Sequence, residues 1–212
     1  MIAEDLVLMN QLHRKYRFQG PVAELGGLRD SMVANYHENL KMVIPVEVAP
    51  GRVIKVPHPD QDVRYTRIHR PWSFIDPEYA IFNPEYGDPF IEDLPAAHAG
   101  KFNLIIMVSV LEHVANPYRA SDAIFALLKP GGYLFNSTPF LFPYHPSPED
   151  NFRYSPKALR SIHEESGFQW LEGDFHANFR SSAGIGDTNP ERRLDPQALM
   201  FSYALCRKPE NR

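Results

Sequence analysis

Residues 102–132 read FNLIIMVSVLEHVANPYRASDAIFALLKPGG. The first nine, Phe102–Val110, form an apolar run with little alternation, the pattern of a strand covered on both faces. A helical pattern follows over 117–129, and Lys129-Pro130-Gly131-Gly132 ends it with a cation, a proline and glycines. Tyr133–Ser137 is a second short apolar run with strand character. Strand, helix and strand in this order predict a parallel pair joined by a crossover. The expected class is therefore α/β, a doubly wound and mainly parallel sheet with helices on both faces.

Downstream, Ser155-Pro156 supplies an N-cap and a proline at the first helical position, opening a helix that Gly167 closes. Phe168–Leu171 and Leu199–Arg207 are the last two strands. No helical pattern separates them, so an antiparallel pair at one edge is expected, joined by the long segment 172–198. Upstream, Leu6, Leu8, Met9, Leu12 and Tyr16 predict a helix within residues 1–18. Pro21-Val22-Ala23-Glu24-Leu25-Gly26-Gly27 reads as a strand entering a glycine turn. Residues 29–42 read as a helix with Met32, Val33, Tyr36 and Leu40 inward. Val43–Val48 and Arg52–Val56 predict a hairpin across Pro50-Gly51. Trp72-Ser73-Phe74-Ile75-Asp76 reads as a strand ending in an acid, and Tyr79–Asn83 as a short strand or turn. The whole, residues 1–212, is expected to be one domain with an insertion at about 43–70.

Composition narrows the function. The chain has 212 residues, 43% hydrophobic and 23% charged, as in an ordinary globular protein. Its net charge of -4 argues against a nucleic-acid partner, because phosphate binding needs a basic surface. No apolar stretch reaches the length of a membrane span. Met1–Asn10 is acidic and lacks a basic leader segment, so a cytoplasmic location is the default expectation. Cys206, the single cysteine, excludes a disulfide framework and is expected to be buried in its strand. The nine histidines show no H-x-x-x-H spacing, and no metal is expected from them. His163 falls within a helix and is expected to be solvated. His58 and His69 lie in the insertion with nothing to distinguish them. Nothing in the sequence determines whether the chain forms homo-oligomers.

In an open parallel sheet, ligands bind beyond the carboxyl ends of the strands. Those ends carry Glu24-Leu25-Gly26-Gly27, Asp76, Asp88, Leu111-Glu112-His113 and Ser137-Thr138-Pro139. With Asp93-Leu94-Pro95, Leu111-Glu112-His113-Val114, Leu128-Lys129-Pro130-Gly131-Gly132 and Gly167-Phe168, the series resembles the class I S-adenosylmethionine-dependent methyltransferases, of the type 11-like kind. The resemblance covers residues 72–171 and extends to 20–40. It implies a Rossmann-like fold, S-adenosylmethionine as methyl donor, S-adenosylhomocysteine as product and a small-molecule acceptor.

By that resemblance, Glu24, Gly26 and Gly27 lie against the methionine part of the cofactor. Asp76 is the ribose acid, and Asp88, Pro89 and Phe90 form the adenine pocket. Met107 and Val108 pass under the cofactor, and His113 closes that end of the site or caps the helix beginning near Asn116. The departures are Leu28 where the glycine loop has a third small residue, and a gap from Gly27 to Asp76 far longer than about 20 residues. Glu47 is the alternative ribose acid.

The loop Pro139–Ser155 resembles a proline-rich loop over the methyl group in a subset of these enzymes. An imidazole titrates close to neutral pH, which suits His145 as general base toward an acceptor hydroxyl. Asp150 is expected to orient His145 or to bind substrate. Tyr144, Arg153 and Tyr154 are expected to contact substrate, with an Asp150–Arg153 ion pair fixing the loop as the structural alternative. The expected reaction is O-methylation of a small polar molecule, a sugar or secondary metabolite. The alternatives are N- or C-methylation, or a catalytically silent cofactor-binding domain.

Overall fold

A computed structural model describes residues 3–29, 32–34, 43–49, 52–57, 65–67, 70–145, 149–178 and 199–210. The chain opens with α1 (Ala3–Tyr16), which carries acids in its first turn and bases in its last, matching the helix dipole. Then come β1 (Val22–Leu25), β2 (Met32–Ala34), β3 (Val43–Ala49), β4 (Arg52–Pro57), β5 (Tyr65–Arg67) and β6 (Ala80–Phe82). After two single 3₁₀ turns, Pro84–Tyr86 and Ile91–Asp93, follow α2 (Pro95–His98) and β7 (Phe102–Val108). The last elements are α3 (Pro117–Leu127), β8 (Leu128–Pro139), α4 (Pro156–Glu165), β9 (Gln169–Glu172), β10 (Phe175–Asn178) and β11 (Leu199–Arg207).

The main sheet runs β10-β11-β8-β7-β1-β6, with β9 also paired to β11. β6, β1, β7 and β8 are parallel, whereas β11 runs antiparallel to β8 and to both β9 and β10. The expected class and antiparallel edge are both present. From β1 the chain passes outward to β6 and then back across to β7, so the β1/β7 junction is the topological switch point.

Alternate residues of β7 face two cores. Ile105 and Met107 pack with Leu25, Leu111, Ile124 and Leu159, while Leu104 and Ile106 pack with Met9, Leu12, Val22 and Trp72. This is why Phe102–Val110 shows no polar alternation: neither face meets water. Cys206 is buried, as expected. The helix caps also follow the sequence. Asn116 accepts from Arg119 N at 3.1 Å and Ser155 from Ala158 N at 3.2 Å, each with proline next in line.

Several expectations are corrected. Residues 71–75 are consecutive turns, not a strand: Ser73 N donates to Arg70 O at 3.0 Å and Ile75 N to Trp72 O at 2.9 Å. The apolar residues of that segment contribute a buried Trp72 to the core instead of pairing with β1. The strand beside β1 is β6, in register Glu24 with Ile81. Within 29–42, Met32–Ala34 is a strand paired with β5, not helix. The positions Tyr36 and Leu40 lie outside the described residues. The 43–57 hairpin forms as expected, a separate antiparallel pair, with Pro50-Gly51 outside the described residues. β8 begins at Leu128, so Lys129-Pro130-Gly131-Gly132 opens the strand and the helix ends at Leu127. β10 adds a strand within 172–198, of which 179–198 lies outside the described residues. His58, His69 and the side chain of Glu47 are also outside them.

Candidate active site

A cavity of about 820 Å³ opens beyond the carboxyl ends of β1, β6 and β7, at the switch point. Gly26 lines it with φ +71°, and a Cβ added there would collide with Val110 Cγ2. Only glycine lets the exits of β1 and β7 come this close. Gly27 does not line the cavity; a Cβ there would meet the Glu24 side chain folded back beneath it. Glu24 itself is buried and faces Trp72 and Tyr79, with Oε2 lacking a hydrogen bond. Burial pushes its carboxyl up to about 7. Glu24 therefore supports the turn from below rather than reaching the cavity.

Asp76 is at the wrong end of the sheet for a ribose contact. Its carboxylate accepts from Val22 N and Glu78 N, each at 3.0 Å, and so holds the entry of β1 rather than its exit. The acid past the end of β6 is Glu85, which lines the cavity and whose N–H is held by Asn83 Oδ1 at 3.0 Å. Sequence reading missed Glu85 because Tyr79–Asn83 competed with the stronger apolar run at 72–76. The Asn83-Pro84-Glu85 turn after an apolar triplet was the available signal.

Asp88 stands behind the wall, accepting from Asn83 N at 2.9 Å and pairing with Arg29 at 3.3 Å. The next two residues, Pro89 and Phe90, do line the cavity, and Phe90 is 67% exposed. Met107 is wholly buried in the core and Val108 is half-buried outside the cavity wall. The wall at β7 is formed one step later, by Ser109 and Val110. His113 lines the cavity at the end of the 3₁₀ turn Leu111–His113, and the α3 cap is Asn116, not His113.

The loop after β8 folds back over this end. Asp150, its side chain 1% exposed, accepts from His145 N at 2.9 Å and is clasped by Arg153 through Nη1 and through Nη2 at 2.6 Å. Hydrogen bonds from Arg153 hold its carboxyl well below the usual carboxylate range. Arg153 also donates to the carbonyls of Phe142, Pro143 and Phe152, so its guanidinium is spent on the loop rather than on a substrate. Tyr154 is buried, its hydroxyl on Leu111 O at 3.4 Å, which corrects its assignment to a substrate surface. Tyr144 is 73% exposed. Residues 146–148 lie outside the description.

His145 Nδ1 lies 3.2 Å from Asp150 Oδ2, 3.2 Å from Pro143 O and 3.4 Å from Arg153 Nη2. Its Nε2 faces Glu112 Oε1 at 3.9 Å, and His113 Nε2 lies 3.6 Å from the same oxygen. The ligand atoms of Glu112, His113 and His145 all fall within 4.8 Å of one another. Glu112 has no exposed side-chain surface and was not foreseen; Thr138 Oγ1 donates to its Oε2 at 3.1 Å. Burial raises its carboxyl above the usual range. Nearby, Ser137 Oγ joins Asp5 at 2.7 Å and His176 Nε2 at 2.9 Å, tying α1 and β10 to the end of β8.

The family profile of a methyltransferase domain matches residues 78–178. Residues 78–178 thus resemble a methyltransferase domain over just under half of the chain. The ubiquinone biosynthesis O-methyltransferase of Xanthomonas axonopodis pv. citri is 37% identical over 76 residues, 36% of this chain. That match spans 29% of the relative's own length. Among solved structures, the Burkholderia thailandensis 1,6-didemethyltoxoflavin-N1-methyltransferase, with S-adenosylhomocysteine bound, aligns at TM-score 0.56 and 11% identity. The alignment covers 98% of this chain and 80% of that one. The [4+2]-cyclase SpnF aligns at TM-score 0.55 and 13% identity, over 96% and 80% of the two chains. At these identities the structural likeness shows that the chain shares their fold.

Proposed function

We propose that this protein is an S-adenosylmethionine-dependent O-methyltransferase of a small polar molecule, a sugar or secondary metabolite. The observation that carries the reading is the cavity at the switch point with the His145–Asp150 pair set at its His113 end. Gly26 would hold the methionine end of the cofactor, Glu85 the ribose hydroxyls, and Pro89 with Phe90 the adenine. S-adenosylmethionine held there would supply an electrophilic sulfonium methyl to an acceptor oxygen, leaving S-adenosylhomocysteine. The chain's main task is holding the acceptor in line, and His145 takes the hydroxyl proton on Nε2. This role needs the hydrogen on Nδ1, where Asp150 Oδ2 and Pro143 O each lie at 3.2 Å, with Arg153 Nη2 at 3.4 Å.

The relative's printed name as an O-methyltransferase supports an oxygen acceptor. The net charge of -4 supports a small molecule over a nucleic acid. No helix among the described residues is long and apolar enough to cross a membrane, and we place the protein in the cytoplasm. Tyr144, exposed on the loop, is proposed to meet the acceptor.

The test is calorimetric titration with S-adenosylmethionine and S-adenosylhomocysteine, followed by S-adenosylhomocysteine release over a panel of hydroxylated small molecules. Expected results are binding of both, and at least a 100-fold loss of turnover in His145→Ala with cofactor affinity unchanged. No binding at millimolar ligand would overturn the reading. Turnover confined to amine acceptors would replace it with N-methylation.

A further inference from the structure

Three potential ligand atoms, from Glu112, His113 and His145, converge within 4.8 Å of one another at the His113 end of the cavity. Glu112 Oε1 is wholly buried and has no hydrogen-bond partner, although its sister oxygen has Thr138. His113 Nδ1 contacts the carbonyl of Glu149, which only accepts, so Nδ1 carries the hydrogen and Nε2 a lone pair. His145 Nδ1 lies between Pro143 O and Asp150 Oδ2, with the donor Arg153 Nη2 at 3.4 Å. Both Nε2 atoms point toward Glu112 Oε1, at 3.6 and 3.9 Å. Neither separation is a hydrogen bond, so the buried Glu112 oxygen is left unpaired, which is costly.

We propose that Glu112, His113 and His145 hold a divalent first-row transition-metal cation, which takes the acceptor's hydroxyl oxygen at an open coordination position. Bonds of about 2.1 Å in tetrahedral array separate ligand atoms by about 3.4 Å, so shifts of about 1 Å close the site around an ion. Two imidazoles and one carboxylate suit zinc, manganese, iron, cobalt or nickel better than calcium or magnesium. Each ligand already has an outer partner: Glu149 O for His113, Asp150 for His145 and Thr138 for Glu112. The charges of Asp150 and Arg153 cancel, leaving Glu112 to face the cation. A single proton shared between Glu112 and His145 is the rival, but it satisfies two of the three atoms.

The acceptor half of the proposal rests on the methyl-transfer reading. A hydroxyl on the cation ionises more readily, its proton passing to solvent, and His145 then serves as a ligand rather than a base. The spacing rule for paired histidines missed this site because Glu112-His113 and His145 come from different loops, beyond β7 and β8.

The experiment uses untagged full-length protein, stripped with EDTA and titrated with Zn²⁺ or Co²⁺ alone. Expected are one bound equivalent, visible cobalt absorption bands, at least 100-fold weaker binding in Glu112→Gln and about 10-fold weaker binding in Thr138→Val. His113→Ala, folded by circular dichroism, gives a second loss if Glu112→Gln does not fold. No stoichiometric cation, or equal affinity in the variants, overturns the site. Turnover that survives EDTA but is lost in His145→Ala overturns the cation and leaves His145 as the base. A bound cation without cofactor binding upholds the site and overturns its role toward an acceptor.

Discussion

Gly26 shows how one residue sets the cavity. Its φ of +71° is costly for any L side chain, and a Cβ would also strike Val110 Cγ2. Gly26→Ala is expected to lower stability by roughly 1–3 kcal/mol and to weaken S-adenosylmethionine, read by urea unfolding and calorimetry. Gly87→Ala is the control: φ is +84°, but nothing stands within 4 Å of the added Cβ, so only the backbone strain remains. Gly26 was legible in the sequence because a glycine turn after a short apolar strand is a local pattern. Glu112 was not, since nothing in Leu111-Glu112-His113 says that a charged side chain is buried with one oxygen unpaired.

At the scale of elements, His163 joins three of them. It lies on α4, wholly buried, with Ser121 of α3 at 2.9 Å from Nδ1 and Asn136 of β8 at 3.2 Å from Nε2. The expectation of a solvated histidine fails because α4 turns this face inward, beside Phe168. Burial pushes its imidazole down to about 4, from 6.5 in the unfolded chain. The depressed value means that the unfolded state takes up the proton first. The stability from the neutral ring is full above pH 6.5 and is lost as pH falls through about 4. Between pH 7 and pH 5 this group alone is expected to cost about 2 kcal/mol. Urea unfolding at the two pH values checks it; His163→Gln should remove that part of the pH dependence.

For the whole molecule, the two cores on either side of β7 carry the fold. Ile106 has no exposed surface and packs with α1, β1 and Trp72. Ile106→Ala is expected to destabilise the protein by about 2–5 kcal/mol, measured by urea unfolding. The alignment with a [4+2]-cyclase over nearly the whole chain also shows why the function rests on the site and not on the architecture. Of the Glu112–His113–His145 cluster, His113 lines the cavity, and the other two stand behind it.

By itself the sequence determined the strand–helix–strand order of 102–137, the caps at Asn116 and Ser155, the 43–57 hairpin and the resemblance that named the cofactor. These follow from periodicity, turn chemistry and capping, which act over a few residues. Only the tertiary structure decided that β6 rather than 72–76 lies beside β1, and hence that Glu85 rather than Asp76 lines the cavity. Hydrophobicity records that a segment is buried, not which strand it pairs with. The same limit hid the meeting of Glu112, His113 and His145, because it depends on a loop that Asp150 and Arg153 lock over the end of β7.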